Sequence, residues 1–193
     1  MNDRQAIPMK EFDELLISLY QTLSEDPAVA RDSSFINCML NDQKLRQDLL
    51  LRLRVVQLLA VIKYRLMFPI ENRDVEKSLL AGIEAESNAL KLKPALTKLF
   101  FQTVIARSKA LQYELFELLQ SGSEADSWAL YDEFIGLLKK DQPQYHVQWG
   151  QLAESEVRLS DKLQVCRQLI QQATYHGLQT MEELFNPTKV GGY

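Results

Sequence analysis

The chain is poor in the residues that break helices or crosslink chains, with 7 Gly, 6 Pro and 2 Cys among 193 residues. So few cysteines exclude a small fold built on a disulfide framework. Cys38 and Cys166 stand far apart and fit no metal-ligand spacing. They are expected as small core residues, although their number still permits one disulfide. Histidine is equally scarce: His146 and His176 fall in different predicted helices, with no grouped thiol or carboxylate beside them in sequence, so both are read as exposed or core histidines. There is also no glycine-rich phosphate loop and no nucleophile elbow, and together these absences disfavour catalysis by a metal or a covalent nucleophile. Positive charge is in deficit, 22 Lys and Arg against 26 Asp and Glu for a net charge of -4, and no cationic run stands out. That balance argues against a nucleic-acid partner but permits a small anion in a locally positive pocket. Long apolar runs are missing too. The longest covers residues 58–62, far too short to cross a bilayer.

What is present is a 46% hydrophobic content arranged at helical spacing. The expected fold is all-α, a single-domain multi-helix bundle with no convincing strand. A first helix is expected over residues 9–24, with Phe12, Leu15, Leu16, Leu19, Tyr20 and Leu23 on one side. Ser24-Glu25-Asp26-Pro27 stops it, and Asp32-Ser33-Ser34 offers an N-cap ahead of Phe35. A central helix runs over residues 43–67 and halts before Pro69, because a residue ahead of proline is pushed out of the α region. Asn72 is placed to cap a second helix, with Asp74 and Glu76 in its first turn, where acids suit the helix dipole. Further helices are expected over residues 94–120, 124–140 and 159–185, punctuated by Pro94, Ser121-Gly122-Ser123 and Asp141-Gln142-Pro143, with residues 144–156 less clearly patterned. The domain organisation follows: a helical arm over residues 1–44 packing on the core, a helical domain over 45–185, and a frayed tail over 186–193.

The centre of interest is the helix over residues 43–67. It is apolar on nearly every side, so Arg52 and Lys63 sit in a segment that should be buried. Eleven steps of about 100° return to within roughly 20° of the same face, so the two cations share one stripe. Arg54 and Arg65 repeat that spacing two residues further on, and spacing alone does not choose which pair lies inside. A buried cation needs a partner, which must come from another segment or from a bound anion. On the helix over residues 94–120, Ser108 and Gln112 are four residues apart on one face. They are either a solvated polar edge or part of the lining of the same interior as Arg52 and Lys63.

Lys63-Tyr64-Arg65 followed by Pro69-Ile70-Glu71-Asn72, and then Phe100-Phe101 with Ser108-Lys109-Ala110-Leu111-Gln112-Tyr113, resemble the all-helical chorismate mutases. The secreted subclass of that family has Lys-Trp-Arg, Pro-Ile-Glu-Asp with a following Arg-Glu pair, Phe-Phe, and a Lys-x-x-Gln-Tyr pattern. The resemblance covers about residues 45–118. It implies a bundle of the helical chorismate mutase type and a rearrangement of chorismate to prephenate, with no cofactor, no metal and no covalent intermediate. The partner it implies is a small dicarboxylate, neither nucleic acid nor membrane. The arm or the last helix would be the surface for a homodimer. The subclass is periplasmic or secreted, whereas the opening Met1-Asn2-Asp3-Arg4-Gln5 shows no signal peptide, which leaves a cytoplasmic protein as the alternative.

Carried over position by position, the resemblance makes Arg52, Lys63, Glu76 and Gln112 the catalytic residues, with Asn72, Arg73 and Ser108 as substrate-binding residues. Arg52 would clamp a carboxylate, Lys63 and Gln112 would donate to the ether oxygen from opposite sides, Glu76 would receive the ring hydroxyl, and Ser108 would lie near a carboxylate. Two positions depart from the pattern. Val75 stands where the family has a carboxylate-binding Arg, and Asn72 stands where it has Asp. Arg73, Arg107, Arg158 and Arg167 are the candidates to supply the absent cation. The alternatives to a mutase are a relative that binds without turnover and an isochorismate-pyruvate lyase.

Overall fold

The computed structural model describes residues 41–185, together with Ile17, Gln21, Ser24, Glu25 and Pro27. The remainder of the expected first helix, the Asp32-Ser33-Ser34 cap, Cys38 and the tail over 186–193 lie outside the described residues. Among those described there are six α-helices and no strand, an all-α arrangement as the periodicity implies. The helices are α1 (Gln43–Leu66), α2 (Arg73–Ala89), α3 (Pro94–Gln120), α4 (Glu124–Asp141), α5 (His146–Ala153) and α6 (Leu159–Phe185), with a 3-10 turn at Pro143–Tyr145. The less clearly patterned residues 144–156 resolve into that turn and α5.

Local chemistry sets the boundaries. The Asn72 side chain accepts from the Val75 amide at 3.2 Å and caps α2. Ser123 and Asp126 form a reciprocal capping box at the start of α4, with bonds of 3.1 and 3.0 Å. At the other end of α1, the Phe68 amide donates to the Lys63 carbonyl at 2.9 Å and the Met67 amide to the Tyr64 carbonyl at 3.2 Å. That pair of bonds is a Schellman motif and requires a left-handed residue between helix and loop. Met67 fills the position at φ 57° although it is not glycine. The end of α2 repeats the arrangement, with Lys91 at φ 57° and the Leu92 amide bonded to the Ser87 carbonyl at 2.9 Å.

The chain gathers into two compact units, one of residues 50–71 and 108–171, the other including residues 41–49, 72–107 and 172–185. In the first, the core is built on Trp149, Tyr131, Phe134, Leu138 and Leu152, all nearly devoid of solvent contact. Two of its buried aromatic side chains find backbone partners for their polar groups. The Trp149 indole N–H donates to the Gln142 carbonyl at 2.8 Å, and the Tyr131 hydroxyl donates to the Leu152 carbonyl at 2.6 Å. Tyr64 of α1 meets Phe116 of α3 edge to face at 5.4 Å. Cys166 is a free, fully buried thiol, the small core residue its sequence context implies.

In the second unit, α2 and α6 approach closely at Gly82, where an added Cβ would stand 2.9 Å from the Tyr175 hydroxyl. Ile83, Leu178 and Met181 are fully buried there, and Phe100 and Phe101 contact each other edge to face at 5.2 Å. Its surface carries the ion pairs Lys44–Glu183 at 3.4 Å and Lys98–Glu84 at 3.7 Å. Both are exposed, so each contributes little to stability.

Candidate functional site: buried cations on α1

Helix α1 is buried at every position from Leu49 to Lys63. Two arginines and a lysine lie within that stretch: Arg52 and Arg54 are each 4% exposed and Lys63 is 7% exposed. The helix over this segment has no carboxylate of its own. Three cations in one buried segment are costly unless other elements bring them polar partners.

Lys63 shows where its partners come from. Its Nζ donates to the Ile70 carbonyl at 2.9 Å and to Gln112 Oε1 at 3.3 Å. The first partner lies in the loop after α1, and the second comes from α3, 49 residues away in sequence. Gln112 is 5% exposed, and its Nε2 turns back to the Ser108 carbonyl at 3.4 Å. Ser108 is also 5% exposed. These two residues are therefore interior, and the alternative of a solvated polar edge is set aside. Lys63, Gln112 and Ser108 all belong to the first unit, which also contains Arg52.

Arg52 stands eleven residues before Lys63, about 16 Å along the helix axis on the same stripe. Burial alone pushes its guanidinium down, to about 10, which still leaves it a cation at neutral pH. Arg54 lies some 200° away round the helix, on the opposite side. Its Nη1 donates to Gln57 Oε1 at 3.4 Å, and Gln57 is 1% exposed. Arg65 shares that side: it is only half-buried, donates through Nη2 to Ser127 Oγ and lies 5.9 Å from the Tyr64 ring centroid. Both eleven-residue pairs thus place their first member inside, and they serve different faces of α1.

The other predicted site residues lie on α2 or its cap, in the second unit. Asn72 is exposed and occupied as the cap of α2, Arg73 is exposed, and Glu76 is half-buried. Val75 is 45% exposed, so the position where the family has Arg is not a core position. Among the other candidate cations, Arg158 is exposed, while Arg107 and Arg167 are half-buried.

Two features escaped the sequence reading. His176 Nδ1 lies 2.7 Å from Asp48 Oδ2, a carboxylate supplied from 128 residues away, and their pairing spans α1 and α6 within the second unit. The Asp48 carboxyl is raised above its ordinary value, because burial outweighs the lowering effect of His176. The second feature is Lys162, 5% exposed, with Nζ 5.5 Å from the Tyr131 ring centroid; burial lowers its ammonium and outweighs Asp132 and Glu154. No local pattern marks either one.

Among the described residues no group of three or more His, Cys, Asp or Glu could hold a metal ion, and no helix is long and apolar enough to cross a membrane. Compared with family models, curated proteins and solved structures, the chain matches none.

Proposed function

We propose that the chain binds a small dicarboxylate of the chorismate class at the buried polar stripe of α1 and rearranges it to prephenate. One observation carries the proposal: Lys63 and Gln112, assigned by resemblance as donors to the same ether oxygen, are buried within 3.3 Å of each other although they come from different helices. The chemistry asks for no cofactor and no nucleophile. It asks for a compact substrate conformer and for donors aimed at the oxygen on which charge develops.

Arg52 would take one carboxylate through its planar fork. Lys63 would donate to the ether oxygen. Gln112 would do so once its Nε2 leaves the Ser108 carbonyl, a long bond of 3.4 Å that is cheap to give up. Ser108, in the same unit, completes this set, whereas Asn72, Arg73 and Glu76, assigned by the same resemblance, belong to the second unit.

The test is incubation of purified protein with chorismate, following its loss and the formation of prephenate. Turnover above background that disappears in Arg52→Ala and Lys63→Ala is the expected result. No turnover at high protein concentration sinks the mutase reading, and pyruvate released from isochorismate points to the lyase instead. A second reading, binding without turnover, is favoured by Val75, because an apolar side chain cannot take the place of a guanidinium. Activity appearing only in Val75→Arg would establish that reading.

A further inference from the structure

The loop between α1 and α2 is folded around Lys63 at both ends of that residue. Its backbone carbonyl accepts from the Phe68 amide at 2.9 Å, and its Nζ donates to the Ile70 carbonyl at 2.9 Å. Ile70 is 7% exposed and anchors the loop, whereas Met67 beside it is 91% exposed and Phe68 43%. The pivot is strained, because Met67 holds φ 57° without being glycine. At its far end the loop is held to α3 by a surface bond from the Tyr113 hydroxyl to Glu71 Oε1 at 3.1 Å. Tyr113 and Glu71 are the sequence neighbours of Gln112 and Ile70, the two groups that receive the Lys63 ammonium.

We infer that residues 67–71 are a lid over the Lys63 ammonium, latched by the Tyr113–Glu71 hydrogen bond. This inference rests on the proposed function only for the identity of the incoming anion. With the lid shut, Lys63 is satisfied by the Ile70 carbonyl and Gln112. When the latch opens, the loop swings at Met67, the Ile70 carbonyl withdraws, and Lys63 is left beside Gln112 to receive an anionic oxygen in its place. The latch suits a gate for two reasons. An exposed neutral-to-charged hydrogen bond breaks easily, and the strain at Met67 is relieved in the open loop. Tyr113 is accordingly a positioning residue that acts through the loop.

The experiment uses the full chain without ligand. Amide hydrogen exchange is followed over residues 67–71, and acetylation of Lys63 by an activated acetyl ester is followed by mass spectrometry. Wild type is compared with Tyr113→Phe, Glu71→Ala and the double variant, each checked for an unchanged melting transition. Tyr113→Phe keeps the ring and deletes only the donor. Both single variants are expected to raise loop exchange and Lys63 acetylation together by about two- to tenfold, the range for one hydrogen bond. The double variant is expected to go no further, since one bond is lost in all three. Unchanged exchange in the single variants overturns the latch, and faster exchange without faster acetylation overturns the lid. Failure to bind chorismate in a protein that shows the expected pattern would sink the proposed substrate and leave the lid standing.

Discussion

Lys63→Met separates a lysine kept for an anion from one that only staples a turn. The wild-type Nζ donates to the Ile70 carbonyl at 2.9 Å and to Gln112 Oε1 at 3.3 Å, in a residue 7% exposed. Methionine keeps the length and flexibility of the chain and removes the charge. Loss of the donor leaves the Ile70 carbonyl short of a partner, which costs about 1–3 kcal/mol, while the Gln112 amide can turn to recover one. Against this, an apolar side chain in place of a buried ammonium recovers about 1–4 kcal/mol of desolvation. The two effects oppose each other at similar size. Stability in urea is therefore expected within about 1 kcal/mol of wild type. Turnover of chorismate is expected to fall by about 10²–10³-fold, the worth of one donor aimed at a developing oxyanion. A loss of about 3 kcal/mol or more, with turnover lowered only in proportion to the folded fraction, would refute the reasoning. Lys63 would then be a structural staple.

The left-handed residues give a second expectation: Met67→Gly and Lys91→Gly should each raise stability by about 0.5–1 kcal/mol, the strain relieved less the added entropy of glycine, as read from the denaturation midpoint. Ser123→Ala removes half of the capping box on α4 and should cost about 1 kcal/mol in the same measurement, with Ser123→Asp restoring most of it. Asp48 predicts a pH dependence. A carboxyl whose folded value is raised above its ordinary 3.8 binds more protons folded than unfolded, so stability should fall as pH rises from there through the folded value. Asp48→Asn should flatten that slope in a series of melts across mildly acid pH.

Helix boundaries were legible because single residues fix them by local chemistry: Asn72 and Ser123 as caps, Pro94 at a first turn, Pro143 after α4. The burial of α1 was legible from its nearly unbroken apolar character. Burial of Arg54 was not, because Arg54 and Arg65 repeat the spacing of Arg52 and Lys63, and periodicity carries no information about which side faces other helices. The turn at Met67 was hidden for a related reason. Glycine normally announces a left-handed cap, and here the Schellman bonds hold a methionine in its place. Contacts across long separations were out of reach of local pattern, as in Asp48 with His176. Lys63 with Gln112 joins helices 49 residues apart in the same way.

The central claim is that the buried stripe of α1 exists to hold a dicarboxylate, and calorimetric titration of chorismate into the intact protein tests it most directly, whether or not turnover follows. Saturable binding to the wild type is expected, weakened at least about tenfold in both Arg52→Met and Lys63→Met, in keeping with the loss of one charged hydrogen bond each. Absence of binding, or binding that both variants leave unchanged, would contradict it.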